Sequence, residues 1–179
     1  GRHRNFHMRV LPPSSVQEMA SLVFKGFDLA DKYRMTTMIL ADGTIGQMME
    51  PVSLDMGEVR EYDKPWAVTG TRGERKHNIV NSLSLLPEEL EQWNIRRYER
   101  YAQIEKTETM YESFMADDAD IVVVAFGVAA RVARNAILAA REKDIKAGLI
   151  RPITLWPFPK AALKEAAKHA KAFVSVERS

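Results

Sequence analysis

Two stretches of regular apolar spacing, separated by an irregular one, organise this chain. Arg9-Val10-Leu11 is a short apolar run stopped by Pro12-Pro13 and reads as the close of a strand. Ser14-Ser15-Val16-Gln17-Glu18 then carries a helix start. With Ser15 as N-cap, Glu18 stands three residues on and is expected to reach back to the cap's backbone N–H. From Val16 to about Tyr33, Met19, Leu22, Val23, Phe27, Leu29 and Ala30 recur at helical spacing, which predicts a helix lying against a sheet. Met35 to Ala41 is apolar and β-branched, as in a buried strand. Strand, helix and strand make one βαβ unit, which ends in a loop from Asp42 to Pro51.

From about Pro51 to Ser84 periodicity is lost, and so long an irregular stretch reads as a linker or an interface-covering excursion. Pro87 suits the first position of a helix, with Glu88, Glu89 and Glu91 in its opening turns. That helix is expected to run to about Met115. Its apolar stripe is broken and its charge density high, so it is expected to bridge two bodies of the protein. Asp120 to Phe126 is a buried-strand run ended by Gly127, followed by a helix from Val128 to about Lys143 and a strand from Ala147 to Ile150. After the loop Arg151 to Pro159, a helix from Lys160 to about Ala170 leads to a strand from Ala172 to Val176. This βαβαβ order predicts a parallel sheet covered by helices. The expected class is α/β, with parts of two parallel-sheet domains joined by a long linker and a helix.

Composition changes this picture in three places. The 179 residues are 46% hydrophobic and 28% charged with net charge +2, and no face of one sign emerges to gather phosphates. Neither nucleic acid nor membrane is expected as a partner. The local exception is GRHRNFHMR at the start, read as a solvated, partly disordered terminus. Cysteine is absent, which excludes disulfides, thiol nucleophiles and Cys-ligated iron–sulfur clusters on this chain. No apolar run approaches the roughly 18 residues that span a bilayer, so the default location is the cytoplasm. Gly1 follows no initiator Met and FVSVERS ends straight after a strand, and both suggest a piece of something longer.

Candidate chemistry is sparse. The strand–Gly127–helix junction has one glycine where a dinucleotide fingerprint needs three. A structural turn and an anion site assisted by Arg131 or Arg134 are the two readings of it. His3 and His7 are four apart but lack a carboxylate partner, and His77 and His169 stand alone, so no metal site is expected. Ser14 and Ser15 read as caps rather than nucleophiles. Asp42 and Glu50 follow a strand, where parallel sheets place ligand loops. The loop from Asp42 to Pro51 is therefore the best site candidate on physical grounds, with a subunit contact as the competing reading.

Several separate segments carry a resemblance. Pro13 to Met19 (PSSVQEM), Phe27 to Arg34 (FDLADKYR), Leu40 to Gly43 (LADG), Gly46 to Pro51 (GQMMEP) and Gly148 to Pro159 (GLIRPITLWPFP) occur in this order. Together they resemble the alpha subunit of the thiamine-diphosphate-dependent 2-oxoacid:ferredoxin oxidoreductases over nearly the whole chain. The linker and the RPITLWPFP loop look most like the branched-chain, 2-oxoisovalerate type, with the 2-oxoglutarate type close behind. NAD-linked 2-oxoacid dehydrogenases and transketolases share the ancestral fold but lack these two patterns.

The resemblance implies a domain plan. Residues 1–54 would be the C-terminal part of the domain that cups the aminopyrimidine ring, 55–117 a linker and bridging helix, and 118–179 the start of a transketolase-C-terminal-like domain. It further implies oxidative decarboxylation of a 2-oxoacid, with coenzyme A taking the acyl group and ferredoxin the electrons. Beta, gamma and delta type subunits would be partners. The beta subunit would hold the diphosphate and its magnesium, and other subunits the iron–sulfur clusters. The activating glutamate would lie upstream, so no catalytic residue is assigned to this chain. Asp42, Gly43, Gln47 and Glu50 are the candidates for proximity to the active site. A non-catalytic interaction module that keeps the fold is the other class of function.

Overall fold

The computed structural model describes residues 6–55, 57–58 and 60–177. His3 and the first part of the basic stretch lie outside the described residues. The elements are β1 (Arg9–Leu11), α1 (Val16–Tyr33), β2 (Thr37–Ile39), α2 (Gly43–Gln47), α3 (Pro87–Thr107), β3 (Tyr111–Phe114), β4 (Ile121–Ala125), α4 (Gly127–Arg141), β5 (Ala147–Pro152), α5 (Lys160–Ala166) and β6 (Ala172–Val176).

The first unit is the expected βαβ. β1 and β2 pair in parallel with Val10 opposite Met38, and α1 connects them. Ser15 caps α1, its hydroxyl accepting from the Glu18 N–H at 3.1 Å. The Glu18 carboxylate, however, accepts from the N–H and hydroxyl of Ser14, one residue before the cap, at 2.7 and 2.8 Å. The buried face of α1 is Leu22, Gly26, Leu29 and Tyr33, spaced four, three and four apart. Val23 and Phe27, expected on that face, are exposed. Gly26 turns the face: an added Cβ there would stand 3.4 Å from Thr37 Cγ2, so the helix lies directly on β2. The second strand is shorter than expected and its Met38 is partly exposed, because α1 covers one side of β1 and β2 only.

Residues 51–86 hold no helix or strand among those described, and residues 53–66 follow α1 from its first turn to its C-cap. Ser53 exchanges hydrogen bonds with the Gln17 amide, Tyr62 donates to Asp28, and Arg34 lies over the Trp66 ring at 4.2 Å. The third helix begins at Pro87 as expected but ends at Thr107, about eight residues early. Tyr111–Phe114 is a strand, antiparallel to β5 with Glu112 opposite Arg151. Four alternating residues beside a charged helix read as its last turn, and only the partner strand distinguishes them.

The second unit is a four-stranded sheet in the order β3-β5-β4-β6, parallel except at the β3 edge. Alternate residues of β4 face opposite layers: Val122 packs with Ala162 and Ala166 of α5, and Val123 and Ala125 pack with Ala133 and Ile137 of α4. This period-two alternation buries both faces, as a parallel sheet requires.

The units meet along the loop after β5. The Val10 N–H donates to the Trp156 carbonyl at 3.3 Å, and the Leu155 N–H donates to the Val10 carbonyl at 2.9 Å. The loop thus lies beside β1 as an extra antiparallel bridge. Tyr101 and Ile104 of α3 close the other side, with Ile104 packed against Leu29 and Tyr33.

Candidate functional site

The carboxyl ends of β2, β4 and β6 converge on one cleft. Leu40, Ala41 and Asp42 leave β2 on one side of it. Phe126 to Ala129 leave β4 opposite, and Glu177 follows β6. The cavity is about 140 Å3. Parallel sheets bind ligands outside the carboxyl ends of their strands, and here two sheets contribute ends to one crevice.

Local chemistry shapes each wall. Asp42 caps α2, its Oδ1 accepting from the Ile45 N–H at 2.9 Å. Its other oxygen faces Gly127, where an added Cβ would lie 3.7 Å from Asp42 Oδ2. Gly127 opens α4 at φ 58°, a left-handed conformation that glycine adopts at little cost. Phe126, the N-cap of α4, supplies no side-chain cap. The positive end of α4 is therefore met by the Asp42 carboxylate.

This arrangement weighs against the anion reading of the glycine turn. Asp42 and Glu177 place negative charge in the cleft, and the two arginines that would have assisted are engaged elsewhere. Arg131 pairs with Glu50 at 2.6 Å, and Arg134 pairs with Glu112. Arg134 also lies over the Phe114 ring at 4.0 Å.

Of the four candidate residues, the structure brings Asp42 into the cleft. Gly43 and Gln47 begin and end α2, are exposed, and do not line it. Glu50 is a tie between elements: its Oε2 accepts from the Val16 N–H at 3.1 Å while Oε1 holds Arg131. Arg131 and the Val16 N–H hold the Glu50 carboxyl below its usual value. Among the described residues no group of three or more His, Cys, Asp or Glu side chains is placed to hold a metal ion.

Beside the cleft sits a network that residue-by-residue reading missed. The Arg151 guanidinium, on β5, grips Glu18 of α1 through Nη1–Oε2 and Nη2–Oε1, and its Nε donates to Glu112 of β3 at 2.9 Å. Burial pushes the Glu18 carboxyl up, but hydrogen bonds from Arg151 and Ser14 outweigh it and leave the group below its usual value. The clue in the sequence was Arg151 directly after the apolar run Ala147 to Ile150, since a charge at the end of a buried strand needs a partner.

Residues 119–179 match the family described as pyruvate:ferredoxin oxidoreductase core domain II. The whole chain is 47% identical to the ketoisovalerate oxidoreductase subunit VorB of Methanothermobacter thermautotrophicus, of which it covers 51%. It is 28% identical to the 2-oxoglutarate synthase subunit KorA of Methanothermobacter marburgensis, with 99% of this chain and 54% of that protein covered. The fold superposes on a 2-oxoglutarate:ferredoxin oxidoreductase from Magnetococcus marinus, solved with 2-oxoglutarate, coenzyme A and succinyl-CoA bound. The TM-score is 0.76 at 18% identity, over 96% of this chain and 35% of that one. The chain thus spans about half the length of the curated relatives it matches. Over that span it is similar in sequence to subunits of 2-oxoacid oxidoreductases and shares the α/β fold of a 2-oxoglutarate:ferredoxin oxidoreductase.

Proposed function

We propose that this chain is a segment of the alpha-type subunit of an enzyme that oxidatively decarboxylates branched-chain 2-oxoacids to acyl-CoA, passing electrons to ferredoxin. The observation that carries the reading is 47% identity over the whole chain to a ketoisovalerate oxidoreductase subunit, against 28% to a 2-oxoglutarate synthase subunit.

Within that enzyme we assign residues 1–54 to the pyrimidine-binding domain, 55–117 to the linker and helix, and 118–179 to the transketolase-C-terminal-like domain. The Asp42–Gly127 cleft is the segment's approach to the active-site neighbourhood. Gly43 and Gln47 sit on the adjoining α2 surface, open to a partner subunit. Glu50 acts as a tie rather than as a cofactor ligand.

Thiamine diphosphate with magnesium does not fit the described residues. The cleft presents carboxylates rather than cations, its nearest arginines are paired, and no cluster suits a divalent ion. This chain is accordingly given no catalytic step. Its contribution is the rigid wall between two αβ units, and beta, gamma and delta type subunits carry the diphosphate and the iron–sulfur clusters.

The test is co-expression of the full-length gene with its neighbours, followed by viologen-dye reduction with coenzyme A and a panel of 2-oxoacids. The expected order is 2-oxoisovalerate above 2-oxoglutarate. A preference for 2-oxoglutarate would overturn the branched-chain assignment, and no turnover of any 2-oxoacid would overturn the enzymatic one.

A further inference from the structure

Inside the irregular stretch, the loop from Pro65 to Asn78 has a shape of its own. The Asn78 side-chain amide donates to the Pro65 and Ala67 carbonyls at 2.6 and 3.0 Å, which brings the two ends of the loop together. Arg75 fills the middle, its Nη2 donating to the Ala67 and Gly70 carbonyls at 3.2 and 2.8 Å. Two turns complete it. The Ala67 N–H donates to the Lys64 carbonyl, with Pro65 in the second position of that turn, and the Glu74 N–H donates to the Thr71 carbonyl, both at 2.9 Å. A loop whose ends meet and whose own side chains occupy its interior is a compact unit rather than a slack tether.

Its hold on the rest of the protein is of a different kind. From residue 60 to residue 80 no residue is buried, so no core packing anchors the loop. Three side chains at its entry clip it to α1. The Tyr62 hydroxyl donates to Asp28 at 2.8 Å, Lys64 pairs with Asp31 at 2.5 Å, and Arg34 lies over the Trp66 ring. The partners on the helix stand three residues apart, in one oblique row around its last turns. The clip residues alternate along the chain at 62, 64 and 66. The Lys64–Asp31 pair is open to water, with side chains 38% and 35% exposed, and pairs of that kind hold weakly.

The two sets of contacts differ in what it costs to break them. Those inside the loop join residues at most 13 apart, a short closure that loses little chain entropy and re-forms at once. Those of the clip join residues more than 30 apart and have no buried surface behind them. We infer that residues 62–78 are a preformed flap, which leaves and regains the surface of α1 as one body while the helix stays in place. Opening uncovers Asp28, Asp31 and Arg34. It also gives slack to the stretch that carries the exposed Ile79, Val80, Leu83 and Leu85 into α3. This inference stands apart from the proposed chemistry.

The experiment separates the clip from the loop's own closure. The chain has no cysteine, so Lys76→Cys carries a single nitroxide on the exposed side of the loop, and its spectrum reads how freely the flap moves. Amide hydrogen exchange at Ala67 and Glu74 reads whether the loop keeps its shape. The triple variant Tyr62→Phe/Lys64→Met/Trp66→Leu removes the clip from the loop side and leaves α1 untouched. In it the nitroxide should tumble roughly tenfold faster, while both amides exchange within about twofold of the wild-type rate. Asn78→Ala should do the reverse to the amides and speed their exchange roughly tenfold. Thermal melts followed by circular dichroism should coincide for all forms. A nitroxide unmoved by loss of the clip would overturn the inference, because the loop would then be held elsewhere. Amides that lose protection together with the clip, or that ignore Asn78→Ala, would show that the loop has no body of its own. A lowered melt in the triple variant would make the clip part of the fixed fold, which also overturns it.

Discussion

Arg151 and Glu18 stand 133 residues apart in sequence and make a two-point ion pair, with both N–O distances at 2.9 Å. The arginine side chain is 8% exposed and the glutamate 20%. The pair joins β5 of the second unit to the N-terminal turn of α1 in the first. Glu112 accepts from the Arg151 Nε–H, so three elements are tied through one guanidinium.

Removing one side of this pair strands the other. Arg151→Met is expected to lower unfolding free energy by about 3 kcal/mol, chiefly because the Glu18 carboxylate loses its cationic partner where water is scarce, while Glu112 keeps Arg134. Glu18→Gln, which keeps the shape and loses the charge, should cost less, about 2 kcal/mol. Urea unfolding of the three proteins checks the order, and equal midpoints would refute it.

Acid should weaken the same junction. Glu18 and Glu50 both titrate below their ordinary values when folded. A depressed folded pKa contributes stability above the unfolded value, and that stability is lost as pH falls through the folded one. The loss should therefore begin near the ordinary glutamate value of about 4.3 and grow below it. Stability measured between neutral and acid pH should fall there, and Glu18→Gln should flatten the fall. An unchanged acid limb in that variant would show that other groups govern it.

Gly148 has no room for a side chain. An added Cβ would lie 2.4 Å from the Met115 carbonyl oxygen and 2.6 Å from Ala116 Cα, both backbone atoms. Gly148→Ala should cost roughly 3 kcal/mol or more, at the upper end of overpacking effects. A thermal melt within a degree or two of wild type would contradict this close approach of β5 to the β3–β4 turn.

Gly127 differs in kind, since its nearest neighbours would be 3.7 Å from an added Cβ. The cost of Gly127→Ala comes from φ 58° and should be about 1–2 kcal/mol. Gly127→Asn, which tolerates that region better, should cost less. Equal losses for both would point to packing rather than backbone conformation.

The chain by itself should not bind thiamine diphosphate with magnesium at micromolar concentrations. Asp42 and Glu177 in the cleft, together with the pairing of Arg131 to Glu50, leave no built diphosphate site among the described residues. Isothermal titration calorimetry showing micromolar affinity would place cofactor contacts on this segment after all.

Much of the local structure could be read along the chain. The Ser15 cap, the Pro87 start, the glycine turn at 127 and the βαβαβ order all follow from residues within one or two turns of each other, where steric and capping preferences act. The error at residues 111–114 has the same origin. A four-residue strand at a sheet edge takes its identity from Arg151 and Ile150 across the ladder, not from its own neighbours.

The candidate site divides in the same way. That a ligand loop should follow β2 was legible, because strand ends in α/β folds leave their loops on one side of the sheet. Which of its residues reach the cleft was not. Asp42 meets Gly127 and Glu50 meets Arg131 only because α4 starts where β2 ends, an apposition of segments more than 80 residues apart. The sequence by itself determined the α/β elements other than α2 and β3, their order and the absence of thiol chemistry, since these rest on local preference and composition. Only the tertiary structure decided the cleft, the Arg151 junction and the loop clipped to α1. Charge pairing and the exposure of apolar surface depend on which distant segments share space, and that is settled when the two sheets pack.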